Sequence, residues 1–135
     1  MNRKFAATIV SLVIAVMAGM VPSHAASDVV YVSGPGEQFK GYLLPALVIQ
    51  AGTPVDYLNA DITAHSVIAD RFGVDKGWCA ASAIPPGKCP LFGSPASVSS
   101  TQRAPIYEIQ SLPAGTYTFH CGQHPSAQKG TLVVV

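Results

Sequence analysis

Short runs of β-branched and aromatic residues, separated by turn residues, recur along the chain after residue 27. No stretch keeps apolar residues at helical spacing over the roughly 11 positions by which an amphipathic helix is recognised. Turn residues at 51–54 and 112–115 divide the two longest runs into two strands each. The pattern predicts an all-β domain built as a sandwich of two sheets. The runs are 28–34, 46–61, 65–70, 104–121 and 130–135.

The first 25 residues have the pattern of a secretory signal peptide. A basic start is followed by an apolar run at 5–21, and Ser23 and Ala25 satisfy the small-residue rule at a cleavage site. We therefore expect an exported protein, periplasmic or extracellular, whose mature chain is residues 26–135. A retained leader would act as a membrane anchor, although the apolar run is only marginally long for a span of about 20 residues.

Charge is sparse and balanced in the mature chain. Removing the leader leaves six lysines and arginines against seven acidic residues, with no run of either sign. A nucleic-acid-binding domain carries a basic patch, so we expect no nucleic-acid partner. The length suits one domain that folds alone, and we expect a monomer that meets protein partners through an apolar patch.

Two of the three cysteines lie within residues 71–103, a segment rich in glycine, proline, serine and alanine. We interpret this segment as one long, ordered loop excursion. In an exported protein, Cys79 and Cys89 most simply form a disulfide. The alternative is a metal site at these two thiols, but no histidine lies near them and their spacing matches no tight metal knuckle.

The third cysteine, Cys121, lies in the stretch FHCGQHPSAQKG and has no other cysteine left to pair with. An unprotected thiol in an oxidising compartment tends to be oxidised or to capture a partner. Strand alternation places the side chain of Cys121 on the same face as Tyr117 and Phe119, whereas His120 points the other way. We therefore expect Cys121 to face the core, where it is either protected from oxidation or used in a functional site.

One thiolate and two imidazoles form a soft three-ligand set. His124 follows Cys121 by three residues, after a glycine that lets the chain turn back, and His65 opens a short strand after a polar turn upstream. With a weak fourth ligand this set is the blue-copper electron-transfer arrangement, and zinc would also accept it. All three methionines lie within the leader, so we expect Gln128 to be the weak axial ligand. An oxygen donor there favours Cu(II), which predicts a lower reduction potential than methionine would give.

The stretches GTYTFHCGQHPSAQKGTLVVV and NADITAHSV resemble the cupredoxin family, the plastocyanin- and azurin-like small blue copper proteins. The resemblance covers residues 28–70 and 104–135. It implies a Greek-key β-sandwich that holds one copper ion, alternating between Cu(I) and Cu(II). By this resemblance the strong ligands are His65, Cys121 and His124, and the axial position is that of Gln128.

The chain departs from the family pattern in three places. Ser66 stands where many members have an asparagine that joins the two ligand loops by hydrogen bonds. The spacing from Cys121 to Gln128 is not the commonest one, so a backbone carbonyl, such as that of Ala64, is an alternative axial donor. The cysteine-bearing segment 71–103 is not a general feature of the family.

The expected function is single-electron transfer between redox partner proteins, without enzymatic activity. The ring of His124 is expected nearest to solvent, as the exit for electrons. His120 is expected at the surface, where its covalent link to Cys121 offers a second route for electrons. Pro35, Pro45 and Pro125 are expected to help form an apolar docking face.

Two other functions stay open at the level of the sequence. Copper storage or delivery without redox cycling would use the same ligands, although delivery sites commonly expose clusters of methionine or histidine, and the mature chain has no such cluster. A nucleophilic Cys121 beside His124 would make the protein an enzyme. A core-facing thiol lacks the exposed, electropositive setting that this chemistry needs.

Overall fold

The computed structural model describes residues 27–74, 76–81 and 88–135, so the predicted signal peptide at 1–25 lies outside the described residues. Within those ranges no helix has the length and apolar character needed to cross a membrane. The strands are β1 (Val29–Ser33), β2 (Ala46–Ile49), β3 (Val55–Asn59), β4 (Ile68–Ala69), β5 (Arg103–Pro105), β6 (Gly115–His120) and β7 (Lys129–Val134). The helical turns are α1 (Glu37–Lys40), α2 (Trp78–Ala81) and a 3-10 turn at Ile109–Ser111.

The strands form two mixed sheets. One has the order β1-β3-β5 and the other the order β2-β7-β6-β4. β1 runs parallel to β3 and β2 runs parallel to β7, while the remaining pairs are antiparallel. The predicted all-β sandwich is confirmed.

Two of the predicted strands are shorter than the sequence pattern indicates. The run at 65–70 contains only the two-residue β4, and the first half of the run at 104–121 ends at Pro105. The chain leaves the sheet there because Tyr107 pairs instead with Gly93, and Glu108 has a φ of 63° that no extended strand allows. β6 forms as predicted.

The core lies between the sheets and is centred on aromatic rings. Tyr31 of the first sheet meets Phe119 of the second edge to face, with ring centroids 5.6 Å apart. Phe119 is paired in register with Gly130 of β7, and a Cβ atom at that glycine would lie only 2.3 Å from the phenylalanine ring. Glycine at 130 therefore makes room for the central ring of the core.

The segment 71–103 is an ordered excursion, as predicted, in the part that the structure describes. Cys79 and Cys89 form a disulfide, which confirms the predicted pairing. Trp78 stacks on Tyr107 with ring centroids 5.5 Å apart, and this pair packs with the disulfide in a second small core. The excursion is thereby attached to the sandwich by side chains as well as by backbone bridges.

Removing the disulfide should lower the free energy of unfolding by about 3 kcal/mol, because the bridge closes a short loop that the unfolded chain would otherwise leave open. The variant is Cys79→Ala with Cys89→Ala, measured by urea unfolding. Reductant should destabilise the wild type by a similar amount and leave the double variant unchanged. Equal sensitivity of both proteins to reductant would contradict a stabilising role for the bridge.

Candidate metal centre

Three of the predicted site residues converge at one end of the sandwich. The Sγ atom of Cys121 lies 3.8 Å from Nδ1 of His65 and 3.7 Å from Nδ1 of His124. The three donor atoms all lie within 4.8 Å of one another. His65 comes from the loop between β3 and β4, and the other two residues come from the loop between β6 and β7. The cluster of His65, Cys121 and His124 is called the His-Cys-His cluster below.

His65 is completely buried, and its Nε2 atom is hydrogen-bonded to neighbouring side chains. Its Nε2 atom lies 2.9 Å from Oδ2 of Asp61 and 3.0 Å from the hydroxyl of Thr63. Because a carboxylate only accepts, Nε2 carries the proton and donates it, which leaves the lone pair of Nδ1 facing the cysteine sulfur. A carboxylate that accepts a hydrogen bond from the non-ligating nitrogen of a histidine orients the ring and makes it a stronger metal ligand.

Asp61 belongs to a dense hydrogen-bonded turn before His65. Burial alone would raise the pKa of the Asp61 carboxyl, but hydrogen bonds from His65, the Ile62 N–H and Thr63 outweigh it and hold the pKa below its usual range. Asn59, fully buried at the end of β3, accepts from the Asp61 N–H at 2.9 Å. Its own amide donates to the carbonyl of Thr63 at 2.7 Å. The turn is therefore rigid before any ligand arrives.

The excursion also supports His65. Its N–H donates to the carbonyl of Val98 at 3.2 Å, and the Val98 N–H donates back to the carbonyl of His65 at 2.9 Å. Two residues further on, the Val67 N–H donates to the hydroxyl of Ser94 at 2.9 Å. The segment 71–103 thus forms the backbone platform on which the first histidine of the cluster rests.

Cys121 follows β6 and continues its alternation. Tyr117, Phe119 and Cys121 are buried, while Thr118 is exposed and His120 partly exposed, as the sequence pattern predicts. The cysteine sulfur is completely buried and accepts a hydrogen bond from the backbone N–H of Ser66 at 3.4 Å. This bond holds the sulfur of Cys121 beside the loop that carries His65.

His124 and Gln128 lie in one tight turn. The N–H of Gln128 donates to the carbonyl of His124 at 2.9 Å, and the amide oxygen of Gln128 lies 3.1 Å from Nδ1 of His124. The carbonyl of Gln128 also accepts from the Cys121 N–H at 3.1 Å, which closes the loop at the start of β7. Gln128 is fully buried whereas His124 is partly exposed.

These distances suit a single soft metal ion. Two ligand atoms about 2.0–2.3 Å from a shared ion, at a tetrahedral or trigonal angle, lie about 3.5–3.8 Å apart. The two sulfur-to-nitrogen separations in the His-Cys-His cluster, 3.8 and 3.7 Å, match this value. One thiol, two imidazoles and a nearby amide oxygen form a donor set for copper or zinc, and they need only small movements to bind it.

Ser66 joins the two ligand loops by hydrogen bonds. Its hydroxyl accepts from the Gly122 N–H at 2.8 Å and donates to the amide oxygen of Gln123 at 2.9 Å. The amide nitrogen of Gln123 in turn donates to the carbonyl of Ala96 in the excursion. These three hydrogen bonds therefore connect the loop that carries Cys121, the loop that carries His65 and the excursion.

Replacing Ser66 with alanine should lower the free energy of unfolding by about 1 kcal/mol, because the Gly122 N–H loses its acceptor. The measurement is urea unfolding, with Ser126→Ala as the matched control. Ser126 is exposed in the loop between β6 and β7, so its substitution should change the stability by less than about 0.5 kcal/mol. Equal effects of the two substitutions would show that the loop-to-loop bond adds nothing.

Sequence reasoning missed several supports of the site. Among them are Asp61, Gln123 and Glu37, whose carboxylate accepts from the side-chain amide of Gln128 at 3.1 Å. Asp61 precedes His65 by only four residues. It carried a usable signal, since a metal-ligating histidine commonly donates its other ring N–H to a carboxylate. Gln123 and Glu37 carried none, because their contacts depend on how separate loops meet. His120 is one of the correctly placed residues: it lies on the opposite face of β6 from Cys121, 2.5 Å from Asp70.

No protein-family model and no curated protein matches this sequence. Solved structures do match it. An amicyanin variant with one methionine-to-alanine substitution, in the Cu(I) state, is 25% identical, covers 79% of this chain and 81% of its own, and has a TM-score of 0.50. A methionine-to-glutamine variant of amicyanin, also Cu(I), is 24% identical over 82% of this chain and 86% of its own, with a TM-score of 0.52. A purple cupredoxin from Nitrosopumilus maritimus is 22% identical over 80% of this chain and 100% of its own, with a TM-score of 0.54.

Proposed function

Because the chain has a cupredoxin-like fold, we propose that it binds one copper ion and carries single electrons between redox partner proteins. The proposed ligands are His65, Cys121 and His124, with the amide oxygen of Gln128 as the weak axial donor. The observation that carries the proposal is the convergence of one buried thiol and two imidazoles within 4.8 Å. A bound copper ion would supply the Cu(I)/Cu(II) one-electron couple.

The protein's contribution is to hold the ligands still. The Asp61 hydrogen bond orients the ring of His65, and the Ser66 N–H orients the sulfur of Cys121. A site whose ligands move little between the two oxidation states loses little energy to reorganisation, which favours fast electron transfer. The same rigidity and burial disfavour release of the ion, so they argue against copper delivery as the main function.

An enzymatic role for the cysteine finds no support in its surroundings. Cys121 is completely buried, and a nucleophilic thiol needs access to its substrate. We therefore propose an electron carrier and not a hydrolase or transferase.

The exposure of the site supports electron exit at His124. This ring is partly exposed, whereas His65, Cys121 and Gln128 are buried. α1 and the loops that flank the site expose Phe39, Leu43 and Ile62, with 83%, 66% and 87% of their surface accessible. Pro35, Pro45 and Pro125 are exposed as well. Such apolar surface suits brief docking of a redox partner.

Export is proposed from two independent features. The N-terminal 25 residues have the pattern of a signal peptide, and the Cys79–Cys89 disulfide belongs to proteins that fold in oxidising compartments. We propose the periplasm or the extracellular space as the location of the mature chain, residues 26–135.

The experiment that tests the proposed function is titration of the purified protein with Cu(II), followed by visible and electron paramagnetic resonance spectra. We expect one equivalent to bind and to give an intense thiolate-to-copper band that reductant bleaches and oxidant restores. Binding without that band would favour zinc-like or delivery chemistry. A band that appears but does not cycle would rule out electron transfer.

Exchanging the axial residue should raise the reduction potential. In Gln128→Met a thioether replaces an oxygen donor, and the softer ligand stabilises Cu(I) relative to Cu(II). The measurement is voltammetry of the copper-loaded protein, with Gln110→Met as the matched control, since Gln110 is exposed in the 3-10 turn. An unchanged potential in Gln128→Met would exclude Gln128 as the axial ligand.

A further inference from the structure

Glu37 is a buried glutamate for which the proposed ligand set gives no role. It opens α1, the short helical turn between β1 and β2, and only 1% of its surface is exposed. Its Oε2 atom accepts from the amide nitrogen of Gln128 at 3.1 Å, across 91 positions of sequence. Its Oε1 atom accepts from the Leu43 N–H at 2.8 Å. Both oxygens of the side chain are thus engaged as acceptors.

We propose that Glu37 is a positioning residue that holds the side-chain amide of Gln128 with its oxygen toward the His-Cys-His cluster. The consequence of this inference rests on the proposed function: a bound metal ion would face the oxygen of Gln128 and not its NH2 group. The geometry itself concerns only residues of this chain.

The two ends of a primary amide differ in their hydrogen bonding. The NH2 end only donates and the oxygen only accepts, and the two have nearly the same shape, so an amide can face a site in either sense. An NH2 end cannot ligate a metal. Since Glu37 accepts from Nε2 of Gln128, the NH2 end is directed at the carboxyl group. The oxygen then points the other way, to 3.1 Å from Nδ1 of His124.

Glu37 can do this because its backbone is fixed on both sides. Gly36 and Gly41 bracket α1 with φ values of 82° and 85°, a region that favours glycine. The Gly41 N–H donates to the carbonyl of Glu37 at 2.9 Å, and the Gly36 N–H donates to the carboxylate of Asp61 at 3.3 Å. A Cβ atom at Gly41 would lie 3.0 Å from the carbonyl of Ala127. α1 is therefore anchored to the turns that carry both His65 and Gln128.

Two substitutions separate positioning from simple packing. Glu37→Gln keeps the size of the side chain but leaves one acceptor oxygen for two donors, Leu43 N–H and Gln128 NH2, so one of the two donors loses its acceptor. Glu37→Leu removes both acceptors. Glu108→Gln is the matched control, because Glu108 is bound to Lys76 at 2.7 Å, away from the cluster.

The first test uses nuclear magnetic resonance of the full protein without added metal. The side-chain NH2 protons of Gln128 should exchange with solvent at least tenfold more slowly than those of exposed Gln110. Glu37→Leu should abolish this protection and Glu37→Gln should weaken it, while Glu108→Gln should retain it. Equal exchange at Gln128 and Gln110 in the wild type, or full protection in Glu37→Leu, would overturn the proposal.

The second test is a double-mutant cycle on the copper-loaded protein. Glu37→Gln should change the rhombicity of the paramagnetic resonance spectrum when Gln128 is present, and should leave it unchanged in the Gln128→Met background, where no amide is left to orient. An equal change in both backgrounds would identify a general charge or packing effect and overturn the positioning role. If the wild type forms no copper-thiolate centre, the proposed function fails, and the proton exchange of Gln128 alone decides the role of Glu37.

Discussion

Cys121→Ser abolishes the intense visible band of the copper-loaded protein if the proposed centre is correct. The band requires charge transfer from a thiolate to Cu(II), and serine supplies no sulfur. Copper affinity should also fall, since a soft thiolate is replaced by a hard, protonated hydroxyl. The measurement is the absorption spectrum at one equivalent of Cu(II), together with competition against a copper chelator.

His120→Ala is the control for the loss of the band. His120 neighbours the cysteine in sequence but points to the opposite face, where it pairs with Asp70. The variant should keep the band, and any slowing of electron transfer to a partner with an unchanged spectrum would support a second electron route through this histidine. A band that persists in Cys121→Ser would refute the thiolate ligand outright.

Phe119→Ala should lower the free energy of unfolding by about 3–5 kcal/mol, the range for truncating a buried phenylalanine. The ring is 2% exposed and packs against the rings of Tyr31, Tyr42 and Phe92. Its loss would leave a cavity between the two sheets, two residues from the cysteine. Urea unfolding of the protein without copper measures this loss apart from metal binding.

Phe39→Ala is the matched control, because Phe39 undergoes the same substitution at 83% exposure. It should change the stability by less than about 0.5 kcal/mol. If Phe119→Ala does not fold, Phe119→Leu should show a smaller loss in the same direction. Equal stabilities of the Phe119→Leu and wild-type proteins would mean that this ring is not the centre of the core.

The parts of the fold that follow a local pattern could be predicted from the sequence. β6 alternates a buried with an exposed residue, and that alternation alone indicated that Cys121 faces inward and His120 outward. The disulfide followed from the predicted export and from the position of Cys79 and Cys89 in one short segment. In each case the physical cause acts within a few neighbouring residues, so the sequence displays it directly.

The remaining parts depend on contacts between distant segments. The strand expected at 104–111 ends early because Tyr107 pairs with Gly93 of the excursion, an alternative partner that no local pattern reveals. The hydrogen bond from Gln128 to Glu37 joins residues 91 positions apart. The role of the excursion as a platform for His65 is of the same kind, since it consists of backbone bonds to Val98. Predicting these requires the packing of the sheets first.

The position of β7 has a consequence for how the protein is made. β7 is the last described strand in the chain, yet it lies inside its sheet, between β2 and β6. A nascent chain therefore cannot complete this sheet, or close the turn that holds His124 and Gln128, until residues 129–134 have been synthesised and freed. For a precursor exported as proposed above, this delay is an advantage, because a chain that cannot finish folding early can still pass unfolded through a membrane pore until β7 is available.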